Sequence, residues 1–340
     1  MWGNAMKKNI AAALSSVLIA ALLLSSCAED YSAIEPTEEE DRLVAIADGY
    51  AVHYDEFRYT VLANRAMLES SGAPELSDEE SKANYRTRLY DAVLSGIRHN
   101  ASVRSLLSGG GHSLDNLAGT EDKTVRALID ECGGRQGYIE YLKENALTDR
   151  LVRQNLRIAA AENELMYILN DLSVFDEYFS FDFTRLSSDR SVYYKALEFI
   201  YTSDIYIKFE YIAYGSEVAD REALAAAALS KLGNGTDMES LADGKSSTYY
   251  AGAYVKGECS GDFFNAVIGA EEGKPTEFEV NGTLYLLRRL PIMQDVNSGC
   301  RDIMMKYVRV LTLEYIDRYA KKIEMNYTDF GRSLDILEIK

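Results

Sequence analysis

Tyr206–Tyr214 reads YIKFEYIAY, and together with the residues that follow it to Ile292 it decides the fold. The nonapeptide alternates as a strand. Asp220–Leu232, DREALAAAALSKL, is an alanine-rich helix ended by Gly233-Asn234-Gly235, and Gly261–Ile268 has the pattern of a short helix. Thr276–Val280 and Leu284–Leu290 flank Asn281-Gly282, the dipeptide that most favours a two-residue hairpin turn. The order β-α-α-β-β in so short a span predicts a compact α+β module over 205–292.

Outward from this module the pattern becomes helical on both sides. From Asp295 to Ile323, the residues Ile303, Tyr307, Leu311, Tyr315, Tyr319 and Ile323 form a stripe at four-residue spacing. A single helix cannot bury such a stripe alone, so 293–340 is expected to return onto the first helical region. In that region Val44–Arg58 predicts a small hairpin turning at Asp48-Gly49, with a helix beginning near Tyr54. Ser77-Asp78-Glu79-Glu80 has the form of a capping box. The helix after it carries Tyr85, Leu89, Val93 and Ile97 on one face and stops at Gly109-Gly110-Gly111. Tyr138–Leu169 continues with Leu142, Leu147, Leu151, Leu156 and Leu165 among charged residues. The fold class is therefore α+β: a mainly helical domain, 43–204, into which the module is inserted.

The first 27 residues set the location. Lys7 and Lys8 precede a mostly apolar run of 15 residues, Ile10–Leu24, which suits a signal-peptide core and is short for a membrane-spanning helix of about 20 residues. The run ends in Leu24-Ser25-Ser26-Cys27 and resembles a bacterial lipoprotein precursor. The resemblance implies cleavage before Cys27 and acylation of that cysteine, hence an extracytoplasmic, lipid-anchored protein. Residues 28–42 hold seven acidic side chains and few large apolar ones, which predicts an unfolded tether reaching roughly 50 Å from the lipid. A net charge of −18 argues against nucleic acid as a partner. Cys132, Cys259 and Cys300 show no C-x-x-C spacing, so neither metal, redox centre nor other cofactor is expected. Tyrosine, at 24 residues, is the compositional outlier and suits adaptable contact surfaces.

The chain resembles the parvulin-type peptidyl-prolyl isomerases and foldases of the PrsA/SurA type. Ala45-Ile46-Ala47-Asp48-Gly49-Tyr50-Ala51-Val52 with Asp55-Glu56-Phe57 is similar to the opening of a SurA-like chaperone domain. Gly252-Ala253-Tyr254-Val255-Lys256-Gly257-Glu258, followed by Phe263, Ala266 and Gly273, is similar to the parvulin segment G-[YW]-F-x-x-G with its short helix and later glycine. The likeness runs from Val44 to about Leu290. It implies binding of unfolded or newly secreted polypeptides.

The departures bear on activity. The family's two site histidines fall on Tyr211 and on Leu284 or Tyr285, while His53, His99 and His112 all precede the module. The loop before the glycine segment is reduced to Asp243–Ala251, and the proline-pocket positions are Ala251, Cys259 and Phe263, of which only the phenylalanine is kept. The degenerate pocket is thus Tyr211, Ala251, Tyr254, Cys259, Phe263 and Leu284 or Tyr285. Isomerase activity is expected to be weak or lost, leaving a chaperone. The rivals are an isomerase with a rearranged site and a scaffold lipoprotein serving one envelope partner. A solute-binding lipoprotein ranks last, because repeated βαβ units are absent.

Overall fold

The computed structural model describes residues 31–70 and 78–340. The apolar run Ile10–Leu24, Cys27 and Ser77 lie outside the described residues. The chain forms two compact units, one made of the described residues up to Ile168 with Leu313–Lys340, the other of Leu169–Thr312.

The first unit begins with β1 (Leu43–Ala47) and β2 (Tyr50–His53), antiparallel strands joined at Asp48-Gly49. Both turn residues have positive φ, 49° and 78°, which matches the right-handed twist of the strands they join. Helix α1 (Tyr54–Ser70) follows directly. Helix α2 (Glu79–Gly109) starts at Asp78, whose carboxylate accepts from the Ser81 amide at 2.7 Å. Where one long helical stretch is read from Tyr138, two helices stand: α4 (Arg135–Glu144) and α5 (Asp149–Asp171), after α3 (Asp122–Glu131). Ala146, at φ 53°, breaks the run between them.

One feature of the C-terminus has no sequence signal. After the long helix Met293–Ala320, residues Met325–Tyr327 pair antiparallel with β1, giving a sheet in the order β2-β1-β7. Three residues are too few for a period to show. The tail then lies on α1: Arg65 donates to the carbonyls of Ile336 and Ile339 at 2.8 and 2.9 Å, and both isoleucines are buried with Phe57, Leu89 and Val93.

The acidic stretch also differs from its expected state. Residues 31–42 are not an extended tether but are laid against the helices of this unit. Tyr31 and Ile34 pack on Val125, Ile129, Tyr138 and Leu142. The Ile34 amide donates to Asp149 at 3.2 Å, and Arg150 donates to the Glu40 carbonyl at 3.1 Å and pairs with Asp41. With Arg135 donating to the Ser32 carbonyl at 2.7 Å and the Tyr31 hydroxyl to Asp130 at 2.8 Å, these contacts hold a segment whose composition alone predicts disorder. Helix α5 supplies that arginine from a row at one face. Arg150, Arg153 and Arg157 meet the buried carboxylates of Asp55, Asp149 and Glu121 respectively.

His99 on α2 stands between Glu162 at 2.8 Å and Asp317 at 3.4 Å. Burial pulls its pKa down, but the hydrogen bond and charge of Glu162, then of Asp317, outweigh burial and raise it above 6.5. A raised folded-state pKa means that the native state holds the proton more tightly. Its stabilisation is therefore full below the unfolded value and is lost as pH rises through the folded one. Urea unfolding of the wild type and His99→Gln is expected to differ most near about pH 5.5 and least near about pH 8.5. A gap that widened with pH would contradict this pairing.

In the second unit, after helix α6 (Arg190–Thr202), a four-stranded antiparallel sheet runs in the order β4-β3-β6-β5, from β3 (Tyr206–Tyr214), β4 (Thr248–Val255), β5 (Pro275–Val280) and β6 (Thr283–Arg289). Strand β4 is an addition to the order read from sequence, which becomes β-α-β-α-β-β. Helix α7 (Arg221–Gly233) covers one face of the sheet through Ala225, Ala228 and Leu232 against Ile212, Tyr214 and Leu286. Helix α8 (Gly261–Gly269) covers the other through Phe263, Phe264 and Val267 against Ile207, Phe209 and Leu287. Cover on both faces is why most of β3 is buried although its sequence alternates. The module is α+β.

Candidate functional site

Strand period sends Ile207, Phe209, Tyr211 and Ala213 to the α8 face of the sheet. Register places Tyr250, Gly252 and Tyr254 of β4 beside Tyr211, Phe209 and Ile207 on that face. From the other side β6 brings Tyr285 opposite Ala213, and β5 brings Phe278 opposite Tyr285. The result is a continuous aromatic platform. The Tyr211 ring lies 5.0 Å from Tyr285, 5.8 Å from Phe263, 5.9 Å from Phe209 and 5.5 Å from Tyr250, between ring centroids. Phe278 stacks on Tyr285 at 5.0 Å, and Tyr254 lies 5.2 Å from Phe209. Phe209 is fully buried and forms the floor, while Tyr250 remains 36% exposed at the rim.

The structure brings together five of the seven site residues read from sequence: Tyr211, Tyr254, Cys259, Phe263 and Tyr285. It separates two. Leu284 points to the α7 face, among Tyr214, Ala228 and Met238, and Tyr285 takes the place beside Tyr211. Ala251 pairs with Glu210 on that same far face. In a strand a step of one residue moves a side chain through the sheet, which puts Ala251 and Leu284, unlike the alternative Tyr285, on the far face. Sequence reading also missed Phe209, Tyr250 and Phe278. The signal for Phe209 was present, since it lies two residues from Tyr211 in a strand already recognised. Tyr250 was out of reach without β4.

The chemistry of the platform is that of neutral groups. Burial, then the neighbouring Tyr285 and Tyr250, pushes the Tyr211 phenol up to about 12. Tyr254 is raised by burial and by its 3.4 Å hydrogen bond to the Tyr250 hydroxyl, and Tyr285 is raised by burial. Such phenols donate and accept hydrogen bonds near neutral pH but do not exchange protons there. Burial lifts the Cys259 thiol to about 11, so it stays protonated and a poor nucleophile. None of the histidines belongs to this unit. His53 faces the Asp41 carbonyl at 2.8 Å, His99 is pinned as described above, and His112 is exposed. Phe209, Phe263 and Tyr285 are buried in the module core, and the surface open to a partner is the rim of Tyr250 with the half-buried Tyr211 and Tyr254. Among these side chains there is neither a histidine nor a carboxylate.

The first unit contains a concavity of about 430 Å³ between residues 33–38 and Arg104, Arg150, Arg153, Gln154 and Arg157. Arg150, Arg153 and Arg157 are already committed to buried carboxylates, while the Arg104 guanidinium lies 4.2 Å from the centre of the Tyr50 ring. Among the described residues there is no group of three or more His, Cys, Asp or Glu arranged to hold a metal ion, and no helix is long and apolar enough to cross a membrane.

No family model matches this chain, and no curated protein matches it. Among solved structures it is similar to one from the Campylobacter jejuni pair PEB4, a virulence factor, and Cj1289, a periplasmic protein, which are structurally related SurA-like chaperones. The TM-score is 0.31 at 11% identity, over 84% of this chain and 99% of that one. It is also similar to the foldase protein PrsA of Streptococcus pneumoniae, with a TM-score of 0.28 at 9% identity, over 85% of this chain and 93% of that one. At these scores neither likeness carries an argument about what this chain does.

Proposed function

We propose that this chain is an extracytoplasmic, lipid-anchored chaperone that holds unfolded or newly secreted polypeptides on the aromatic platform of its α+β module. The observation that carries the reading is a tyrosine rim, Tyr211, Tyr250 and Tyr254, over the buried rings of Phe209, Phe263 and Tyr285, with no histidine or carboxylate among them. Aromatic rings give broad contact at little cost in rotamer freedom, and phenol hydroxyls serve a partner's backbone without demanding one sequence. Prolyl isomerisation has a barrier of about 18–20 kcal/mol and needs fixed hydrogen-bonding groups around a twisted amide. This face lacks the imidazole pair of the parvulin type.

The test is suppression of aggregation of reduced α-lactalbumin by the acylated full chain. Light scattering is expected to fall in proportion to chaperone added. No effect at several-fold excess would overturn the proposal. A second reading, an isomerase with a rearranged site, draws on the hydroxyls of Tyr211, Tyr250 and Tyr254 lying on one face. It predicts acceleration of a proline-limited refolding reaction that Tyr211→Phe abolishes. Capture of one stoichiometric envelope protein, without affinity for unfolded chains, would instead favour a scaffold.

A further inference from the structure

Strand β4 is an open edge of the sheet: β3 lies on one side of it, and among the described residues no strand lies on the other. The phase of its hydrogen bonds can be read at both ends. The Lys256 amide donates inward to Ile205 at 2.8 Å, so by alternation Tyr254, Gly252 and Tyr250 also bond inward to β3. The odd-numbered residues then point away. Val255 bears this out, since its amide donates to the Glu258 carboxylate at 2.8 Å instead of to β3. The amides and carbonyls of Tyr249, Ala251 and Ala253 are left facing outward, without a partner among the described residues.

Sheet edges of this kind are ordinarily blocked by a charge, a proline or a bulge. TYYAGAYV has none of these, and its pairing with β3 runs unbroken over eight residues. Ala251, Gly252 and Ala253 leave the approach free of bulky side chains. Tyr250 and Tyr254 flank the edge on the platform side, where alternate side chains of an added strand would meet them.

We infer that the free edge of β4 receives an extended segment of client polypeptide as a fifth strand, paired through Tyr249, Ala251 and Ala253. The inference rests on the chaperone reading and adds to it how the client's backbone is bound. A client is the occupant rather than a second copy, because two chains of net charge −18 repel on approach, whereas a neutral or basic segment does not.

The probe is a fluorescein-labelled peptide of alternating valine and threonine with lysines at both ends, added to the full chain. At saturation, amide exchange at Tyr249, Ala251 and Ala253 is expected to slow, and the doubly substituted Ala251→Pro/Ala253→Pro protein to bind about tenfold more weakly, having lost two donors. Proline is tolerated at outward-facing edge positions. The exchange measurement on the unaltered chain stands independently if that variant does not fold. Unchanged exchange at those three amides in the saturated complex would overturn the inference and leave the chaperone reading intact. Failure of the unaltered chain both to bind this peptide and to suppress aggregation would overturn both. A concentration-dependent dimer that the proline variant abolishes would replace the client by a second copy and overturn the inference.

Discussion

Phe209→Ala is expected to destabilise the α+β module by about 3–5 kcal/mol, a large share of what a domain of ordinary stability has to lose. Phe209 has no exposed surface and lies within 6.0 Å, centroid to centroid, of Tyr211, Tyr250, Tyr254 and Phe263. Removing its ring deletes the floor on which the other four rest. The cavity left cannot close readily, since Phe209 lies on a central strand paired on both sides, with Gly252 of β4 and Arg289 of β6. Amide exchange as a function of urea, followed at β3 and β6, measures the loss in this unit. Phe209→Leu keeps most of the volume and is expected to cost under about 1.5 kcal/mol. In the chaperone assay Phe209→Ala should lose client binding under conditions where the module remains folded. A stable variant with an unaltered β3 exchange profile would remove Phe209 from its place as the floor.

Arg150→Met is the second substitution with a large expected effect. Asp55 is 3% exposed, and its carboxylate accepts from Thr148 Oγ1 at 2.7 Å and from Arg150 at 2.8 and 3.1 Å. Deleting the guanidinium leaves a buried carboxylate held only by the Thr148 hydroxyl and by the Glu56 amide at 2.8 Å, with no opposite charge, which costs about 3–5 kcal/mol. The lower end is expected, because the arginine is 28% exposed and water can partly replace it. The double variant Arg150→Met/Asp55→Leu should recover most of the loss, since it removes the unpaired charge as well. Arg150 also holds Asp41 and the Glu40 carbonyl. The single variant should therefore make residues 31–42 cleave faster under limited proteolysis. If stability fell while cleavage in 31–42 stayed unchanged, the arginine would not be what fastens that segment.

Local chemistry made much of this molecule legible. The turns at Asp48-Gly49 and Asn281-Gly282 need positive φ at two consecutive residues, and few dipeptides tolerate that, so both hairpins could be placed to within a residue. The helix beginning at Tyr54 and the strand Tyr206–Tyr214 were equally plain from their patterns. Strand β4 was hidden because TYYAGAYV has no alternation and carries Ala251, Gly252 and Ala253 at its centre, where branched or aromatic residues would mark a strand. The candidate site inherited that gap. Tyr254 and Phe263 were found from local motifs, whereas Tyr250 joined them only through pairing across the sheet.

What the amino-acid sequence determined by itself was the character of each segment: an apolar run near the start, an acidic stretch, helices with one oily face, and a module without histidine. Those properties depend on neighbours within a turn or a strand, which any reader of the chain can see. Tertiary structure alone decided that Tyr285 rather than Leu284 stands beside Tyr211, that Met325–Tyr327 completes the first sheet, and that residues 31–42 are held down by Arg150. Each of these is a contact between residues distant in the chain, set by register and by the pairing of buried charge, and neither leaves a periodic trace in composition.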